Sequence, residues 1–108
     1  MTKIKGNRAN TNDDLEEMIS ILREVIKYIN DDSDMTWSGY GNAGKLREVL
    51  AGFISELKNG NVKVLKKMEF EFLPTGSLQE HSLSNGWADE YEILSTKMEN
   101  TSKKLKNN

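Results

Sequence analysis

The 108-residue chain contains no cysteine, which removes disulfides, thiolate nucleophiles and thiolate-ligated metals together. Its fold must rest on packing. A single histidine, His81, and a single proline, Pro74, are the next scarcities. With one imidazole and no thiol, a zinc site would have to be built from carboxylates, and the sequence offers His81 no second general acid or base in an identifiable arrangement. No apolar run approaches the roughly 20 residues of a membrane span, and the basic start Met1–Arg8 leads into no apolar signal region. Cytoplasmic residence without membrane contact is therefore the expectation.

Acidic residues are missing from both ends. Residues 1–10 carry Lys3, Lys5 and Arg8, residues 102–108 carry Lys103, Lys104 and Lys106, and neither stretch shows an apolar period. Both are expected to be flexible basic tails on a single helical domain at 11–101. Between the tails nine basic residues face all 17 acidic ones, so a net charge of −8 lies beneath the overall −2. A body of that sign repels phosphate backbones, which points away from nucleic acid and toward a basic protein as partner.

What the chain does contain is helical periodicity. Leu15, Met18, Ile19, Leu22, Val25, Ile26 and Ile29 recur at steps of three and four, with Thr11 or Asn12 as a cap and acids in the following turn. The acids at 31–34 oppose the negative end of the helix dipole and predict a stop by about Asn30. Leu46, Val49, Leu50, Phe53, Ile54 and Leu57 form a second stripe, which Asn42 opens and Asn59-Gly60 closes. These two helices predict an antiparallel hairpin. Trp87, Tyr91, Leu94 and Met98 mark a last helix, capped by Ser84 or Asn85. Leu22, Ile26, Leu50, Phe53, Leu57 and Leu94 lie centrally on the three stripes and are the expected core.

Residues 61–84 read two ways. Met68 to Phe72 alternates like a strand, and a hairpin of 67–73 with 78–84 turning at Pro74–Ser77 would make the fold α+β. Val64, Leu65, Met68 and Phe72 also form a helical stripe, with Asn61 placed to cap it and Pro74 to end it. Ser77-Leu78-Gln79-Glu80 has the pattern of a capping box. An isolated hairpin is marginal, so the expected fold is mainly α: a small single-domain bundle of two long antiparallel helices, short helical pieces and a C-terminal helix.

Three motifs invite chemistry and fall short of it. Gly39 to Lys45 has phosphate-loop spacing, but Leu46 follows where a magnesium-binding hydroxyl is needed, and no buried strand precedes it. Asn30, Asp32 and Asp34 imitate the first ligands of a calcium loop, yet the frame then meets Met35 and Gly41 where glycine and a bidentate glutamate are required. Glu80 and Ser82 adjoin His81, but neighbours on a helix diverge, and a half-exposed structural histidine is expected. Neither a cofactor nor a metal is predicted.

The remaining candidates are aromatic. Trp37 and Tyr40 sit in a glycine-containing loop beside Asp31, Asp32 and Asp34, and these five residues form the expected partner-binding site. The expected function is that of a non-enzymatic acidic protein-binding domain, of the immunity, antitoxin or inhibitor type. Two alternatives compete with it: a small hydrolase or nucleotide-binding protein built on the Gly39–Lys45 loop, and an architectural subunit that self-associates as a homo-oligomer.

Overall fold

The computed structural model describes residues 2–74 and 76–107, with side chains described from Asn12 onward. The protein is mainly α: 74% of it is helical, and there is no strand among the described residues. Five α-helices follow in order, α1 (Thr2–Lys27), α2 (Ala43–Lys58), α3 (Leu65–Glu71), α4 (Ser77–Asn85) and α5 (Ala88–Lys106), with a single 3₁₀ turn at Val62–Val64 before α3. The α+β alternative is thereby set aside, because 67–71 of the first supposed arm and all of the second, 78–84, are helical.

Helix α1 packs against both α2 and α5, so its buried face is wider than a single-partner stripe and takes in Ile21 beside Met18, Leu22 and Val25. Its N-terminal boundary lies well before the expected caps, with Thr11 and Asn12 inside the helix. At the other end the turn Tyr28–Ile29 closes it, and the Arg47 guanidinium on α2 donates to the Ile29 carbonyl at 2.9 Å. Thus the start of α2 lies against the end of α1. Lys58, at the end of α2, shares a groove with Glu16, Ile19 and Arg23, as an antiparallel return requires.

The boundaries of α2 follow the expected chemistry. The Asn42 side chain accepts the Lys45 amide at 2.9 Å, a cap of a kind worth about 1 kcal/mol. At the far end Gly60 takes φ of 77°, which a Cβ would strain. Asn61 accepts the Lys63 amide and opens the 3₁₀ turn.

Glycine is needed for another reason between α3 and α4. A Cβ on Gly76 would lie 2.9 Å from the Glu71 carbonyl and 3.0 Å from that of Phe70, so only glycine lets the chain pass this close to the end of α3. The expected capping box does not form. The Ser77 hydroxyl donates to the Glu71 carboxylate instead, and Gly76 occupies the N-cap position of α4.

Helix α5 continues past the expected boundary at 101. Ser102 and Leu105 are buried, the Ser102 hydroxyl donates to Glu69 at 2.7 Å, and Lys106 pairs with the same carboxylate at 2.5 Å. Burial works against the Glu69 carboxylate, but the hydrogen bonds from Lys106 and Ser102 outweigh it and hold its pKa below the ordinary value. The segment 102–106 is thereby tied to α3. Of the six residues expected in the core, Leu22, Leu50, Phe53 and Leu57 are buried, while Ile26 and Leu94 are only partly covered. No described helix is long and apolar enough to cross a membrane.

Candidate functional site

The five expected site residues lie on one connection, Tyr28–Asn42, and its surroundings decide which of them are available. Five aromatic rings gather where α1 ends and α5 begins. Tyr28 stacks on Trp87 with centroids 4.5 Å apart and planes within 5°, Tyr91 meets Trp87 edge to face at 5.8 Å, and Phe72 stacks on Tyr91 at 5.9 Å. Such pairs contribute about 0.5–1.5 kcal/mol each beyond the area they bury. The Tyr91 hydroxyl donates to the Phe72 carbonyl at 3.2 Å, and burial pushes its pKa up to about 12.

The fifth ring is His81, fully buried and not half-exposed as expected. Its Nδ1 accepts the Trp87 indole N–H at 3.0 Å, which assigns the ring proton to Nε2. Nε2 is buried without a protein partner, an arrangement that costs about 1–3 kcal/mol. Burial lowers the His81 pKa, and the attraction of Asp34 offsets only part of that. His81 is therefore a neutral core residue near pH 7.

From α4 the Asn85 side chain reaches across to the connection. Its amide oxygen accepts the Asp34 N–H at 2.7 Å, and its Nδ2 donates to the Asp34 carbonyl and to the His81 carbonyl, both at 2.9 Å. This one amide fixes Asp34 by both of its main-chain groups. The sequence offered Asn85 only as a helix cap, since nothing local shows a partner 51 positions away.

Several further bonds shape the connection. The Asn30 amide donates to the Ser33 hydroxyl, the Ser38 hydroxyl donates to the Met35 carbonyl, and Arg47 meets Asp31 at 2.5 Å. The Tyr40 hydroxyl donates to Glu71 at 2.9 Å, and the same carboxylate accepts Ser77, so the connection, α3 and α4 meet at Glu71. Burial, with Glu71 beside it, raises the Tyr40 pKa to about 12.

The expected site therefore divides. Tyr40 faces inward and is a structural strut. Asp31 is exposed but paired with Arg47, and the Asp34 carboxylate accepts the Thr36 hydroxyl and amide, which lower its pKa. Asp32 is exposed, and Trp37 stands 70% exposed on a connection tied down at both sides. Glu71, Asn85 and Tyr28, none of them expected here, are what hold that presentation.

Elsewhere the surface offers little chemistry. The amide of Lys45, which a phosphate loop would direct at its ligand, is occupied by Asn42. Among the described residues no three His, Cys, Asp or Glu side chains converge to hold a metal. An open groove of about 400 Å³ lies beside Val49, Phe53, Glu56, Lys63 and Lys67, and one of about 450 Å³ between Phe72, Leu73, Met98 and Lys103. Neither is lined by His81 or by the aspartates of the connection. Among the described residues, the large exposed apolar side chains other than Trp37 are Val62, Phe70, Leu73, Leu83 and Ile93, distributed from the 3₁₀ turn to α5. No protein-family model, no curated protein and no solved structure matches this chain.

Proposed function

We propose that the protein is a non-enzymatic binding domain that docks a basic protein partner through the Tyr28–Asn42 connection. The observation that carries this reading is Trp37: a large ring, 70% exposed, on a connection held by side-chain bonds from α2, α3 and α4. A tryptophan whose main chain is already held before binding has only its side-chain rotations to lose when it is covered, which suits it to the centre of an interface. Asp31, Asp32 and Asp34 beside it supply a negative field whose reach is about 10 Å at 0.1 M salt. Charge would set the rate of encounter and the indole the lifetime of the complex.

The test is capture from an extract of the native host by the immobilised full chain. Basic proteins should be retained, retention should weaken as salt rises, and Trp37→Ala should abolish it. Because Trp37 contributes little to the core, that variant should unfold within about 0.5 kcal/mol of the wild type. Undiminished retention by Trp37→Ala at all salt concentrations would exclude this surface, and turnover of a substrate by the isolated chain would favour the enzymatic alternative.

A further inference from the structure

We propose that His81 is a proton-operated latch that keeps the Tyr28–Asn42 connection, and with it Trp37, in the presented position and releases it when the imidazole is protonated. Its purpose rests on the docking reading above; its operation rests on geometry alone. With Nδ1 accepting the Trp87 indole N–H and the ring proton on Nε2, a second proton has only Nδ1 to go to, where it would oppose the indole N–H, donor against donor. Imidazolium needs an acceptor at each nitrogen. The site supplies neither, since Nε2 is already buried without a protein partner.

The surrounding charges do not rescue the cation. From the connection Asp34 attracts it, but burial outweighs that attraction. Glu80 precedes His81 on its own helix, Asp89 and Glu90 at the start of α5 are exposed, and the rings of Tyr28 on the connection and Tyr91 on α5 pack on Trp87, the ring that meets His81. The protonated ring is accommodated only by leaving its place. Departure loosens two of the supports of the connection, leaving those of Arg47 and Glu71: it withdraws the imidazole that holds Trp87, on which Tyr28 stacks, and it disturbs the turn of α4 whose His81 carbonyl orients the Asn85 amide against Asp34.

The direction follows from proton linkage. A pKa lowered in the closed state means that the open state binds more protons below its ordinary value of about 6.5, so the open-to-closed ratio rises by up to tenfold per pH unit as pH falls. The effect is absent well above about pH 6.5, and from there to about pH 5 it precedes the ordinary carboxylate range.

An NMR titration of the full chain tests this, and with one histidine in the chain the imidazole signal is unambiguous. The ring should titrate below pH 6.5. At the same midpoint the Trp87 indole N–H and the amides of Asp34 to Tyr40 should shift or broaden, while those of Leu46 to Leu57 in α2 stay unchanged. Trp87→Phe, which removes the opposing donor, should raise the midpoint toward 6.5. His81→Asn, which cannot titrate, should leave the connection indifferent to pH between 5 and 6.5. The latch is overturned by a midpoint at or above 6.5, by loss of the α2 amides at that midpoint, or by an unchanged response in His81→Asn. Should that variant not fold, the wild-type coincidence and Trp87→Phe decide. Since no partner is needed, failure here and failure of capture through Trp37 remain distinguishable.

Discussion

Two connections join helices around α2, and they are held by different means. The short one, Asn59–Asn61, is closed by main-chain bonds: the Asn59 amide donates to Ser55 and Glu56, that of Gly60 to Leu57 and that of Asn61 to Glu56. The long one, Tyr28–Asn42, depends largely on side chains outside itself, namely Trp87, Arg47, Glu71 and Asn85. A turn closed on its own backbone needs only residues that tolerate its angles. A connection held from outside takes its shape from the tertiary structure, and a change far away in the chain can release it.

The comparison can be broken from the long side first. Trp87→Ala removes the ring that supports Tyr28 and the donor to His81, and truncation of a buried tryptophan costs about 3–5 kcal/mol. The denaturation midpoint should fall accordingly, with the protection of the Asp34 and Thr36 amides lost before that of Asn61. Asn85→Ala leaves the core filled but removes three hydrogen bonds, for a loss of about 2 kcal/mol. Hydrogen exchange should quicken at Asp34 and remain unchanged at Gly60 and Asn61. The converse change, Gly60→Ala, forces a Cβ into the left-handed region and should cost about 1 kcal/mol. Its exchange signature should be confined to 59–61. If Asn85→Ala and Gly60→Ala loosened both connections alike, the distinction between them would fail.

The same contrast explains what could be read in the residues alone. Asn59-Gly60 announces its turn, Asn42 and Asn61 announce their caps, and the three apolar stripes announce their helices, because each signal is carried within one turn of the structure it determines. Pro74 and Asn61 likewise identify α3 against the strand-like alternation of Met68 to Phe72. The role of Asn85 is not legible in this way. Its neighbours suggest a cap for α5, and only the packing of α4 on the connection brings it to Asp34. Ser77 is similar, a good cap by pattern that meets a nearer carboxylate in Glu71. Leu105 escaped because its turn is otherwise Thr101, Ser102 and lysines, although Met98 and Leu105 keep the seven-residue spacing of a buried face.

Of the candidate site, the stretch holding Trp37 and the aspartates was recognisable as a loop with an aromatic and acids. That Tyr40 turns inward was not, since its partner Glu71 lies 31 positions away. Nor was the burial of His81, whose ring meets Trp87 edge to face at 5.7 Å in a cluster that Trp87 shares with Tyr28 and Tyr91.

Asn85 grips Asp34 by its N–H and C=O, which every amino acid but proline has in common. The grip of Asn85 is consequently blind to the identity of the side chain at 34, whose carboxylate separately holds the Thr36 amide, and the bonds described for the connection make no demand on the side chains at 32 and 37. Mutation could redraw the displayed face without rebuilding the scaffold, so that this segment can diversify while the helices beneath it stay constant.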